Sequence, residues 1–184
     1  IDVAGTAVKM GAGSDLKVDL QGMTRVASAN PSATLLDVSS ATGLSALTLT
    51  QSTVTAGVAQ RLLHLQASPD FTLQSNASTL TGNIDADSSS MAINLAGGST
   101  LTGTVQATGA AIALTGASDT WNLTGNSAAH SLHNGGVVRM SADNAARASR
   151  TIQVDEYVGN SGSLYVQTHL DVSGSSSDKL VINP

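Results

Sequence analysis

Two histidines three residues apart, in His130-Ser131-Leu132-His133, are the nearest approach in this sequence to half a metal site. Zinc takes three or four protein ligands, and no Cys or Glu stands beside this pair to complete a set. In a stretch that reads as loop, both side chains are expected at the surface. A second candidate, Asp85-Ala86-Asp87-Ser88, is similar to the start of a calcium loop. It lacks the glycine at loop position 6 and the acidic residue at position 12, and the glycine-rich nonapeptide of calcium-binding β-rolls is absent. Neither pattern is read as a metal site.

Catalytic patterns are equally thin. No Gly-x-Ser-x-Gly elbow and no phosphate loop occurs. Glu156 is the only Glu, so paired-carboxylate chemistry would fall to Asp alone. A sugar-cleaving face could be built from Asp and Arg, but such sites usually stack their substrate on aromatic rings. Here the aromatic residues are Phe71, Trp121, Tyr157 and Tyr165. The chain is read as non-enzymatic, with no cofactor. Trp121 is expected to pack in a core or cap rather than to stack on a partner. Asn76-Ala77-Ser78 and Asn122-Leu123-Thr124 match the glycosylation sequon, which a chain rich in Asn, Ser and Thr produces by chance.

The composition dictates what kind of element can carry these residues. Among 184 residues, 41% are hydrophobic, 11% charged and 2% aromatic. With so few bulky rings, any core must be built from thin layers of Val, Ile, Leu and Ala. Regularly placed Leu, Ile and Val, with a mean hydropathy of +0.10, argue against disorder. The net charge of −5 and eight scattered Lys and Arg disfavour nucleic acid, which calls for clustered basic residues. No apolar run approaches the roughly 20 residues of a helical membrane span. There is no Cys, which suits a chain threaded unfolded through a narrow pore, where closed covalent loops cannot pass. The sequence opens at Ile1 without a signal peptide, so it reads as an excised fragment addressed by a segment outside it.

Internal repetition organises the rest. Ser52-Thr53-Val54-Thr55-Ala56-Gly57, Ser78-Thr79-Leu80-Thr81-Gly82, Ser99-Thr100-Leu101-Thr102-Gly103 and Trp121-Asn122-Leu123-Thr124-Gly125 are one phrase, its closing glycines 25, 21 and 22 residues apart. Each follows a short alternating run: Leu47-Thr48-Leu49-Thr50, Phe71-Thr72-Leu73-Gln74, Ile93-Asn94-Leu95 and Ile112-Ala113-Leu114-Thr115. Two units open with a third run, Leu35-Leu36-Asp37-Val38 and Leu62-Leu63-His64-Leu65. Alternation is the period of a strand with one buried face, and Gly, Ser, Asn or Asp punctuates the gaps. No stretch carries a helical period.

Two or three short strands repeated about every 22 residues make one coil of a solenoid. The sequence therefore predicts an all-β, right-handed parallel β-helix of roughly eight coils, near 40 Å long at the spacing of stacked strands. Leu80, Leu101 and Leu123 are expected to form one inward ladder. A sandwich needs no phrase recurring at one spacing, and the asparagine-bearing consensus of leucine-rich repeats is missing.

After Gly125 the repeat loosens, with His130, His133, Arg139, Arg147 and Arg150 in the stretch to residue 150. Alternation returns at Ile152-Gln153-Val154, Leu164-Tyr165-Val166 and Leu180-Val181-Ile182, with turn signals at Gly135-Gly136 and Gly159-Asn160-Ser161-Gly162. This part resembles the end of pertactin-like autotransporter passengers. Trp121-Asn122-Leu123-Thr124-Gly125-Asn126-Ser127, Thr151-Ile152-Gln153-Val154, Tyr157-Val158-Gly159-Asn160-Ser161-Gly162-Ser163-Leu164 and Ser177-Asp178-Lys179-Leu180-Val181-Ile182 stand in that family's order and spacing over residues 119–184.

The resemblance implies residues 1–118 as β-helix stalk coils and 119–184 as an autochaperone region with a β-hairpin-like C-terminal cap. Trp121, Gly125, Ile152, Val154, Tyr157, Gly159, Gly162, Leu164, Asp178, Leu180 and Ile182 would carry that role. It implies a monomer on the surface of a Gram-negative bacterium, anchored at the outer membrane or secreted. Its partners would be its own C-terminal outer-membrane β-barrel, which the chain stops short of at Pro184, and the outer-membrane assembly and periplasmic chaperone machinery. Alternative readings are an adhesive module contacting host receptors, matrix or neighbouring passengers, and a phage or polysaccharide-acting β-helix.

Overall fold

Alternating runs this short cannot bury a face alone; stacked in parallel, each covers the next. The computed structural model describes residues 2–3, 6–10, 15–22, 26–28, 34–39, 44–57, 59–67, 70–87, 90–140, 149–170 and 175–183. These form a β-solenoid of parallel sheets with no helix among the described residues.

Three faces wind around one core. The first stacks β1 (Asp2–Val3), β4 (Val26–Ser28), β7 (Thr53–Thr55), β10 (Thr79–Thr81), β13 (Thr100–Thr102), β15 (Thr120–Asn122), β17 (Val137–Arg139) and β20 (Ser163–Tyr165). The second runs through β2 (Val8–Met10), β5 (Leu36–Ser39), β8 (Arg61–Gln66), β11 (Asn83–Asp87), then β18 (Thr151–Val154) and β23 (Lys179–Ile182). The third holds β3 (Lys17–Gln21), β6 (Leu44–Thr50), β9 (Asp70–Asn76), β12 (Ser90–Ala96) and β19 (Glu156–Gly159). Two long strands, β14 (Val105–Leu114) and β16 (Ser127–Asn134), cross from the second face to the third and join them into one 13-stranded sheet. β21 (Thr168–His169) and β22 (Ser176–Ser177) pair antiparallel, after which β23 returns to the parallel stack on β18.

Register carries the inward residues into columns. On the first face Val54, Leu80, Leu101, Trp121, Val138 and Leu164 stack in order. The second contributes Leu36, Leu63, Ile84 and Val105. The third contributes Leu47, Leu73, Ile93, Ile112 and Leu132. Nearly all these side chains are buried, Leu164 being partly so. Burying one Leu or Ile contributes about 1.5–3 kcal/mol, most of it offset by ordering the chain.

Three expectations need correction. The solenoid has about five regular turns of three strands, not eight coils. The repeat length is not constant: Val26 stacks under Val54, 28 residues on, whereas Trp121 stacks under Val138, only 17 on. Two passes, β14 with β15 and β16 with β17, also merge two faces into one strand. Second, the column continues from Leu101 to Trp121, not to Leu123. Leu123 is buried in the bend beyond β15, where its N–H donates to the Arg139 carbonyl. Third, the stretch holding His130 and His133 is not loop but the eight-residue strand β16.

Corners of the first four turns repeat as the strands do. Between the third and first faces the residue after each of β3, β6, β9 and β12 is left-handed: Gly22 (φ +59°), Gln51 (+49°), Ala77 (+50°) and Gly97 (+64°). Only two of the four are glycine, so stacking imposes a conformation that Gln and Ala resist locally.

Candidate functional site

Polar groups inside a solenoid must be paired, because an unpaired buried donor or acceptor costs about 1–3 kcal/mol. The residue just before each first-face strand meets this demand along the rod. Ser52, Ser78, Ser99 and Asp119 occupy equivalent corner positions and are all buried. The Ser52 N–H donates to Ser78 Oγ (3.0 Å), the Ser78 N–H to Ser99 Oγ (3.1 Å) and the Ser99 N–H to Asp119 Oδ1 (3.0 Å). Each hydroxyl in turn donates to a nearby carbonyl, of Thr50, Asn76 or Ala96.

Asp119 ends this ladder. Its carboxylate also accepts N–H groups from Gly98 (2.8 Å), Thr115 (3.1 Å) and Gly116 (2.7 Å). The next corner is Gly136, where an added Cβ would lie 2.4 Å from the Asp119 carbonyl oxygen. Asp119→Ala is expected to cost about 2–3 kcal/mol, since several buried N–H groups lose their acceptor together. Urea unfolding followed by circular dichroism checks this, and a change under about 0.5 kcal/mol would refute it.

Beyond Asp119 the polar groups gather into a second cluster. Asn134 is fully buried at the end of the inward column that includes Leu95 and Leu114. Its amide donates to the Ser163 carbonyl (3.1 Å) and the Tyr157 hydroxyl (3.4 Å), and its oxygen accepts the Gly136 N–H (3.1 Å). Arg150 is buried although charged. Its guanidinium donates to the carbonyls of Leu123 and Met140, and its backbone N–H donates to Asp178 Oδ1 (2.8 Å). Asp178 Oδ2 accepts the Gln167 N–H (2.8 Å). One Arg and one Asp thus tie together five segments of the last third.

The residues predicted from the sequence fall around this cluster. Trp121 is fully buried, with its indole Nε1–H donating to the Gly103 carbonyl (3.1 Å). Ile152 and Val154 are buried on β18, with Leu180 and Ile182 stacked on them from β23. Tyr157 and Leu164 are half-buried, while Ile182 is exposed. Gly159 ends β19, and an added Cβ at Gly162 would lie 2.4 Å from the Asn134 carbonyl oxygen. An added Cβ at Gly125, in the bend before β16, would lie 3.1 Å from the Thr104 methyl. Asp178 is buried.

Arg150, Asn134 and Asp119 were missed. Asp119 had a legible signal, because it stands before Thr120 as Ser52, Ser78 and Ser99 stand before their threonines. Arg150 had none, since a lone Arg before a strand looks like any solvated residue.

The metal and catalytic candidates stay apart. Exposed His130 bonds Asp155 (2.9 Å), while His133 is exposed on the third face. Asp85 and Asp87 lie along the extended strand β11, with Asp85 held by Arg61 (2.6 Å). Ser88 and Arg147 lie outside the described residues. Among the described residues no group of three His, Cys, Asp or Glu could hold a metal ion. A groove of about 540 Å³ opens on the third face beside Asp70, Thr72, Ser90 and His130, and the benzene ring in its lining, that of Phe71, is buried. No protein-family model, curated protein or solved structure matches the chain.

Proposed function

We propose that the chain is a non-enzymatic structural passenger segment of an autotransporter. In this reading residues 1–118 are right-handed β-helical stalk and residues 119–184 are the autochaperone cap. The segment would lie on the surface of a Gram-negative bacterium, anchored at the outer membrane or secreted. The cap would fold first as it leaves the pore and template the coils behind it.

One observation supports this reading above the others: the polar cluster of Asn134, Arg150 and Asp178, concentrated in the last third. A solenoid's first turn has no neighbour to stack on, so nucleation is its costly step. Buried hydrogen bonds to charged groups are each worth about 1.5–3 kcal/mol, enough to hold a short nucleus before stacking contributes. The exposed Val158, Tyr165, Val166, Leu170 and Ile182, all in the last third, suit contact with the passenger's own β-barrel during exit.

The test is guanidinium unfolding of residues 1–184 beside residues 119–184, followed by circular dichroism. The short piece is expected to show β-structure and its own cooperative transition, matching the more resistant phase of the full chain. A short piece without structure, beside a full chain melting in one step, would remove the basis of the reading.

A further inference from the structure

Four successive rungs of the first face present the same outward pair. Thr53 and Thr55, Thr79 and Thr81, Thr100 and Thr102, and Thr120 and Asn122 flank the inward Val54, Leu80, Leu101 and Trp121. The rungs are in register without a bulge. The eight side chains make two straight files, spaced about 4.8 Å along the rod and roughly 7 Å across a strand. Thr79 is exposed and the other seven are half-buried.

Among the described residues, the hydroxyls of Thr53, Thr55, Thr79, Thr81, Thr100 and Thr120 have no hydrogen-bond partner in the protein; Thr102 takes one from the Asn122 amide (3.4 Å). The β-branched threonine is stiff at χ1, so these free hydroxyls and their methyls repeat with little disorder.

Charge separates this face from its neighbours. The second face carries Asp37, Arg61, His64 and Asp85 in outward pairs, and the third carries Asp70 and His130. Among the described residues none on these four rungs is charged; beyond them the file runs on to Arg139, which lies over the Tyr165 ring (4.9 Å), and back through Ala27 to Asp2. A partner for this face must be neutral, periodic at the rod's own repeat, and able to meet a hydroxyl and a methyl at each point. Crystalline polysaccharide would favour exposed rings for stacking, and Trp121, the aromatic residue on these rungs, points inward.

We propose that the threonine files on β7, β10, β13 and β15 form an ice-binding face, whose ligand is the surface of crystalline water. Each hydroxyl holds a water at a fixed point, and the methyls between them confine those waters to the protein's lattice. Waters already arranged at a regular repeat join a growing crystal with less reorganisation than waters around a charged surface.

The experiment grows ice slowly from a solution of the labelled full chain and measures its partition into the ice, alongside recrystallisation inhibition. The full chain is expected to enter the ice. Thr81→Lys with Thr102→Lys should lower that partition by about tenfold, while Thr72→Lys on the third face should leave it unchanged. Circular dichroism confirms folding, and Thr79→Lys at the exposed position replaces the double variant if that does not fold. Exclusion of the full chain from ice, or equal losses from both faces, would overturn the proposal. So would a doubling of sedimenting mass abolished by Thr81→Lys with Thr102→Lys, which would make a second copy the occupant.

Discussion

Replacing Arg150 with Met is expected to cost about 3–5 kcal/mol of folding free energy, because two buried carbonyls lose a charged donor at once. The guanidinium reaches the carbonyls of Leu123 and Met140, which lie 27 and 10 residues before it. Methionine keeps the aliphatic stem and the backbone N–H that Asp178 receives, so the loss reports the guanidinium alone. A useful contrast is His130→Ala. It removes the contact with Asp155, whose side chain and that of His130 are 54% and 57% exposed. An exposed pair of this kind contributes about 0–1 kcal/mol. Guanidinium unfolding of both variants decides the matter. Comparable small shifts would show that solvent reaches the Arg150 cluster, and the proposed nucleus would lose its anchor.

Trp121→Ala is the second large effect, at about 3–5 kcal/mol. The ring is the largest fully buried side chain and sits in the first-face column between Leu101 and Val138. Neighbouring rungs are held at the strand spacing by their own backbone bonds, so they cannot collapse into the space that alanine leaves. The Gly103 carbonyl also loses its indole donor. Trp121→Phe should lose much less, since it refills most of the volume. Because Trp121 is the only Trp, unfolding is followed by circular dichroism rather than fluorescence. A loss below about 1 kcal/mol for alanine would mean that the column repacks, contrary to the rigidity that stacking implies.

Alternation and a recurring phrase were enough to read the kind of fold from the sequence. Leu47, Leu49, Leu73 and Ile93 each precede a polar neighbour and each is buried. Side-chain direction in a strand has a period of two, which local sequence writes directly. The parallel stack followed from phrases such as Ser78-Thr79-Leu80-Thr81 recurring at nearly one spacing. The serines before these threonines were visible too, though their role as a hydrogen-bonded ladder was not.

Tertiary structure decided what depends on contacts between turns. Whether Trp121 or Leu123 continues the column is a two-residue choice of register, and either keeps an apolar residue inward. The indole settles it by filling the slot and bonding Gly103. The left-handed corners at Gln51 and Ala77 carry no local signal, because stacking on Gly97 and its neighbours overrides the preference of each residue. Arg150 joins partners as far as 28 residues away in sequence, a distance over which no local pattern reports. Local chemistry thus determined which side chains turn inward, and long-range stacking determined which of them meet, because each turn's partner lies a whole turn away along the chain.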